Sequence, residues 1–371
     1  MSRLRGRTAR PTSPLAGEVA RRAGPGVPTK SRWRGADFVG WGGGWAIGAA
    51  ALGSLLLPVA LDDFQLTIYV FIGLAAIVVA GLSLLMGFAG QVSLGQGAFY
   101  AIGAYAAALL AKLLSVPPLL ALAAAPSAAA AVAVVVGLPL LRLRGHYLAF
   151  ATLAFQLIVL SVIGEARGLT GGDTGLTGVP TLSAGPISLE GQYRAFVFAY
   201  ITWLLLAAVL LLTRNLVRSR PGRALRALAT SEPAALAAGV PVGRVKLQVF
   251  ALSAAYAGLA GAVYAFFVSY IAPGSFPVLL SIEFLIMATV GGLGSISGSV
   301  VGAALVYLLV QLLTAVGTLP GLPLHAPAIF SYAVYGLVLV LILLLLPQGV
   351  VPAIQARLGT SRSVSAVEAS A

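Results

Sequence analysis

Residues 64–86 read FQLTIYVFIGLAAIVVAGLSLLM, without one charged side chain. As a helix rising 1.5 Å per residue, this run covers roughly 35 Å, enough to cross the ~30 Å hydrocarbon core of a bilayer. A surface helix of a soluble domain keeps a polar face toward water; this run has none. Nine more apolar runs flank it between Trp41 and Leu346: 41–60, 91–111, 117–141, 147–164, 195–213, 248–271, 279–293, 298–316 and 328–346. Together they predict an all-α, polytopic transmembrane bundle of about ten helices filling 37–350.

Composition agrees. The chain is 59% hydrophobic and only 9% charged, with a mean hydropathy of +1.00. Soluble domains carry about a quarter charged residues, so much of this surface is expected to face lipid. There are no cysteines and only two histidines, His146 and His325, which excludes disulfides, thiolate metal sites, cysteine nucleophiles and a multi-histidine metal centre. The net charge of +13 does not point to nucleic acid, because of where the charge sits. Nine of the 23 basic residues fall in 1–36, and most others lie between apolar runs. Segment 1–36, rich in Arg, Pro and Gly, is read as a disordered basic cytoplasmic tail, and 351–371 as a second cytoplasmic tail. The early arginines precede no apolar stretch of signal-peptide type before Trp41.

The interhelical charges set an orientation. Arg142, Arg144 and His146 join the fourth and fifth runs, and the segment 214–246 joins the sixth and seventh with Arg214, Arg218, Arg220, Arg223, Arg226, Arg244 and Lys246. Two crossings separate these loops, so both lie on one side, and their positive charge makes that side cytoplasmic. Both termini are then expected inside, and Asp62-Asp63 and the 165–194 insert outside, the insert being periplasmic.

Chemical motifs are few. The phosphate-binding pattern G-x-x-x-x-G-K-[ST] is absent, as are H-E-x-x-H and G-x-S-x-G. The chain cannot bind and hydrolyse ATP by itself, and no enzyme site is expected. Within 214–246, Pro221-Gly222 signals a turn. Ser231 is placed to cap a short helix from Glu232 to Ala238, with Glu232 in the first turn, Pro233 tolerated there, and Gly239 as the stop. Such a helix between basic arms suits docking into a cytoplasmic partner. A basic loop lying on anionic lipid headgroups suits the charges equally well.

Several blocks of the chain resemble the permeases of ABC importers for branched-chain amino acids, of the LivM-like type. They are GFAGQVSLGQGAFYAIGAYAAALL (87–110), LRGHYLAFATLAFQLIV (143–159), LTGGDTGLTGVP (169–180), and the long run from RSRPGRALRALATSEPAALAAGVPVGRVKLQ to GGLGSISGSVVGA (218–303). The resemblance covers roughly 65–350 in order. It implies a complex in a bacterial inner membrane: this chain, a LivH-like permease subunit, two ATPase subunits that bind ATP and Mg, and a periplasmic substrate-binding protein. It also implies that the loop holding Arg223, Glu232, Ala234, Ala235 and Gly239 couples to the ATPases. Pro233 interrupts the E-A-A-x-x-x-G pattern of other ABC permeases, and Gly239 falls one residue late.

Other candidates follow from membrane chemistry. Gln91, Ser93 and Gln96, set among Gly90, Gly95 and Gly97, are polar groups at lipid depth and are expected either to line a translocation path or to hydrogen-bond neighbouring helices. Glu283, an acid inside an apolar run, is expected either at the path or at the membrane interface. Gly294, Gly298 and Gly302 recur every four residues and predict a face for close approach of another helix, either in packing within the bundle or as the lining of a substrate path or subunit interface. Asp173 lies in a Gly-rich external turn, where the resemblance suggests a surface for the binding protein.

The rival readings are an amide- or urea-type ABC permease of the same family, a secondary transporter working without ATP, and a non-transporting assembly subunit. Ion-coupled carriers usually need intramembrane ionisable groups, and only Glu283 qualifies.

Overall fold

A computed structural model describes residues 57–143, 145–184, 187–188 and 193–317, with 336–337, 340, 344 and 349–354 beyond these. The first and tenth apolar runs lie almost wholly outside the described residues, as do both expected tails save 351–354.

Helix α1 (Asp63–Ala89) realises the 64–86 run, extended by one residue before it and three after. Asp62 caps it in a reciprocal box with Gln65, whose side chain accepts from the Asp62 N–H at 3.3 Å. The chain then continues through α2 (Gln96–Leu113), α3 (Pro118–Leu140), α4 (His146–Glu165), the short α5 (Arg167–Thr170), α6 (Arg194–Arg218), α7 (Arg220–Thr230), α8 (Glu232–Ala237), α9 (Val242–Val268), α10 (Val278–Gly291) and α11 (Ile296–Gly317). Among the described residues, four two-residue strands lie outside the helices: β1 (Leu176–Thr177), β2 (Ser183–Ala184), β3 (Ile187–Ser188) and β4 (Tyr270–Ile271). β1 pairs antiparallel with β4, and β2 with β3.

Among the described residues, seven stretches are long and apolar enough to cross a membrane: α1, α3, α4, α6, α9, Pro273–Gly291 (which contains α10) and Ile296–Ala315. Helix α2 is not among them, because Gln96, Tyr100, Tyr105 and Lys112 dilute its 18 residues. The chain is therefore an all-α polytopic membrane protein. Burial ranks its helices. The most apolar windows of α1 and α9 are 89% and 72% buried, against 28% for α3, α4 and α6. With helices apolar all round, burial separates the centre from the rim: α1, α9 and most of α2 form the core, and α3, α4 and α6 turn leucine, valine and phenylalanine outward.

The core helices approach at backbone distance. A Cβ on Gly103 of α2 would strike the Gly258 carbonyl of α9, and one on Gly261 would strike the Tyr100 carbonyl. Small residues permit such contact where lipid supplies no hydrophobic drive for helices to associate.

The ties divide the described chain into two ends. At one, Lys112 Nζ donates to the Thr177 carbonyl at 2.7 Å, β1 meets β4, and Tyr270 OH donates to the Thr174 carbonyl at 3.1 Å. Arg194, at the start of α6, donates to the Phe266 carbonyl and to Ser269 Oγ at the exit of α9. At the other end, Gly137 near the finish of α3 abuts Leu247 near the start of α9. Arg142 and the 214–246 segment belong to this second end.

Three expected boundaries change. The third run does not open as helix, because Gly90 adopts φ 64° and residues 90–95 stay non-helical. The 214–246 segment is mostly helical: α6 continues to Arg218, and α7 adds eleven residues. Its arginines hide it from any hydropathy reading. Finally, Gly294 is not helical; it sits in the turn before α11 with φ 82°.

Candidate functional site

Two places concentrate polar chemistry. The first is the break between α1 and α2. Gly90 in the left-handed region returns its N–H to the Leu85 carbonyl, and the Gln91 N–H reaches the same oxygen at 3.2 Å. This closure stops α1 at the exposed Gly90, and the chain turns back inward at the buried Gln91. Non-helical backbone at membrane depth needs partners from the protein itself, and side chains supply them. Leu94 N–H donates to Thr152 Oγ1 at 2.9 Å, and Thr152 passes its own proton to the Ala149 carbonyl at 2.9 Å. Gly95 N–H reaches Ser93 Oγ at 3.4 Å. Gly97 N–H, in the first turn of α2, donates to Ser281 Oγ of α10 at 2.7 Å.

From Ser281 the network crosses to α4. Ser281 donates to Gln156 Oε1 at 2.5 Å, and Gln156 Nε2 donates to the Pro277 carbonyl at 3.2 Å, just ahead of α10. Gln96 Nε2 donates to Ser253 Oγ of α9 at 3.0 Å. Four helices, α2, α4, α9 and α10, thus converge on the break. Gln91, Ser93 and Gln96 are 4%, 1% and 1% exposed. Thr152, Gln156, Ser253 and Ser281 are equally sequestered. Within this break two buried acceptors have no hydrogen-bond partner among the described residues, Gln91 Oε1 and Gln96 Oε1.

The structure brings Gln91, Ser93 and Gln96 into one segment and leaves Glu283 out of it. Glu283 follows Ser281 by two residues, about 200° around a helix, so it points away from the junction. It is half-buried and lies within electrostatic reach of Tyr307 on α11. Gly298 and Gly302 lie on α11 against α10: a Cβ on either would press on the backbone of Gly291. Gly294 meets α1 instead, opposite Gly87, and its N–H donates to Ser83 Oγ at 3.1 Å. Asp173 lies in a 3-10 turn, Gly172–Thr174, beside Gly164.

Gln156, Thr152, Ser253 and Ser281 were missed from sequence. Each is a polar residue alone in an apolar run, as in FATLAFQLIV and FALSAAY. That isolation was the available signal, since a polar side chain at lipid depth tends to face the bundle interior.

The second place is the elbow formed by α7 and α8. Leu225 and Leu228 are buried, and Arg220 and Arg223 are exposed. In α8, Ser231 Oγ accepts from Ala234 N–H at 3.4 Å, and Gly239 follows with φ 78°. The helix ends at Ala237, one residue earlier than its sequence suggests. Glu232 Oε2 accepts from Lys246 Nζ at 2.9 Å, which fastens α8 to the start of α9. Ala234, Leu236 and Gly239 are exposed, whereas Ala235 is 1% exposed and packs inward. Arg223, Glu232, Ala234, Ala235 and Gly239 thus share one elbow, with Ala235 serving its packing.

The family model "Branched-chain amino acid transport system / permease component" matches residues 64–343. The chain belongs to this permease family. Over 305 residues the permease is 32% identical to the high-affinity branched-chain amino acid transport system permease protein LivM of Escherichia coli strain K12, covering 77% of this chain and 68% of that one. The LivM protein of Salmonella typhimurium matches to the same extent. A Methanocaldococcus jannaschii protein named "Probable branched-chain amino acid transport permease protein LivH" is 31% identical over 229 residues, covering 59% of this chain and 70% of its own. No solved structure matches this permease. The matched range runs from the first residues of α1 past α11, so it contains both the junction and the elbow.

Proposed function

We propose that this chain is one permease subunit of an ATP-driven importer of branched-chain amino acids in a bacterial inner membrane. The observation that carries the reading is the family match across 64–343, joined to relatives whose names specify branched-chain amino acid transport. The proposed topology has about ten crossings with both termini in the cytoplasm. The described chain supports it by gathering Arg142, Arg214, Arg218, Arg220, Arg223, Arg226, Arg244 and Lys246 at one end, against a single acid, Glu232.

The partners are a second, LivH-like permease, two ATPase subunits and a periplasmic binding protein. ATP and Mg belong to the ATPases, because this sequence carries no phosphate-binding loop. Alternating access is the mechanism. The binding protein delivers cargo to the outer face, and closure of the ATPases displaces the elbow. Because Glu232 and Lys246 join α8 to α9, and Ser253 of α9 holds Gln96, the displacement reaches the break between α1 and α2.

The test is uptake of leucine into proteoliposomes by the full complex carrying a deletion of 231–239. Loss of uptake is expected, together with loss of co-purifying ATPase. Uptake at the normal rate would defeat the docking role, and uphill uptake by the purified chain alone would return the protein to the secondary transporters.

A further inference from the structure

The two orphaned carboxamide oxygens call for an explanation. Buried polar groups are nearly always hydrogen-bonded, and in a low-dielectric interior an unmet acceptor is costly. Around Gln91 and Gln96 much of the network closes. Thr152 accepts from Leu94 and donates to Ala149, Ser281 accepts from Gly97 and donates to Gln156, and Gln156 donates to Pro277. The two glutamine oxygens are left open, and each needs an N–H or O–H donor.

We propose that the break between α1 and α2 is where cargo is held in transit, and that it reads the zwitterionic head of an α-amino acid. The oxygens of Gln91 and Gln96 take the ammonium, and the Gly97 N–H at the start of α2 takes the carboxylate. This deepens the permease reading and rests on it.

The contacts that seal the junction are also those that would open it. Helix α10 is held to α2 and α4 here by Gly97–Ser281, Ser281–Gln156 and Gln156–Pro277. Withdrawal of α10 breaks these bonds together. It strips the hydroxyl acceptor from Gly97 N–H, and a carboxylate oxygen is the stronger replacement at a helix N-terminus. The same withdrawal makes room, because Gly97 sits so close to Gln156 Nε2 and Ser281 Oγ that a Cβ would lie 2.6 and 2.9 Å from them. The break supplies the motion. Glycines bound it, with Gly90 at φ 64°, and the helices it joins share α9 but otherwise rest on different neighbours: α2 on α3, α1 on α6 and α11.

Charge decides the cargo class. The junction is built from Gln91, Ser93, Gln96, Thr152, Gln156, Ser253 and Ser281, none of them ionisable near neutral pH. Glu283 points the other way. A site with separate acceptors and donors but no net charge matches a zwitterion, and leaves a lone anion or cation without a counter-charge at lipid depth.

The chain has no native cysteine, so Ser93→Cys gives a single thiol within the break while keeping both glutamines. In the full complex, trapped with ATP and vanadate beside the binding protein, labelling of this thiol is followed by mass spectrometry with leucine or its 2-oxo analogue, 4-methyl-2-oxopentanoate. Leucine at millimolar concentration is expected to slow labelling at least fivefold and the oxo acid to leave it unchanged. Adding Gln96→Leu should raise the leucine needed at least tenfold; should that variant fail to assemble, Gln96→Asn, which withdraws the same oxygen by one methylene, gives the same reading. Equal protection by both ligands, protection by the oxo acid alone, protection by neither, or a thiol unreactive in every state would overturn the proposal. ATP-driven leucine uptake by the wild-type complex is measured in parallel. Its absence would sink the permease reading itself, whereas uptake without leucine protection would sink only the site.

Discussion

At Gly302 a single methyl group decides whether two helices meet. A Cβ there would strike the Met287 carbonyl and lie 2.8 Å from the Gly291 amide nitrogen, and both are backbone atoms that move only with α10. At Gly168 nothing lies within 4 Å of the added carbon. Gly302→Val should therefore destabilise the purified permease by about 1–3 kcal/mol or more, the usual cost of overpacking, read as a drop in thermal midpoint in detergent. Gly168→Ala should leave it nearly unchanged, and an equal fall in both would show that the α10–α11 contact contributes nothing particular. The repeat of glycines every four residues was legible in the sequence, and Gly298 and Gly302 lie against Gly291 of α10. It could not reveal that Gly294 precedes the helix, because spacing carries no information on where a helix starts. That is decided by Ser295, whose Oγ accepts from Gly298 N–H at 3.1 Å and so opens α11 one residue too late for Gly294.

Elements were legible in proportion to how much lipid chemistry constrained them. The runs at 117–141 and 147–164 become α3 and α4 almost to the residue, because a bilayer permits little but helix in such sequences. Helix α8 was readable from Ser231, Pro233 and Gly239, all local signals. Helix α7 was not, because its burial depends on Leu225 and Leu228 meeting neighbours that sequence does not identify. The junction was half legible: Gln91, Ser93 and Gln96 stand out beside glycines, but the partners of Leu94, Gln96 and Gly97 lie 58 to 184 positions away along the chain. The Glu232–Lys246 pair is equally non-local in effect, and it yields a test at this scale. Lys246 and Glu232 are 16% and 32% exposed, so water screens part of the attraction and the pair is worth about 0.2–1 kcal/mol. If it holds α8 on α9 while the elbow is displaced, Glu232→Lys and Lys246→Glu should each slow leucine uptake a few-fold. The double exchange should recover most of that loss, a coupling measured as a double-mutant cycle on transport rate. Additive losses with no recovery would assign Glu232 to a contact outside this chain.

For the whole molecule the deciding property is the separation of charge between its two ends. One end joins Lys112 to Thr177, Arg194 to Ser269 and β1 to β4, and it carries Asp62, Asp63, Glu165 and Asp173 among three described basic residues, Lys112, Arg167 and Arg194. The other holds Arg142, the elbow and the start of α9, nearly all positive. Lys and Arg are retained on the cytoplasmic side during insertion, whereas acids contribute little to orientation. The elbow end is therefore expected inside and the strand end outside. Because the natural sequence has no cysteine, single thiols can report this directly: Asp173→Cys and Ser115→Cys should react with a membrane-impermeant maleimide in intact cells, and Ser231→Cys and Leu143→Cys only after permeabilisation. The four positions come from both ends and from separate loops, so a single misassigned crossing would leave the set inconsistent. A fully inverted pattern would put the elbow beyond the reach of any cytoplasmic ATPase, and neither its basic arms nor the family match over 64–343 could then keep this chain among permeases driven from inside the cell.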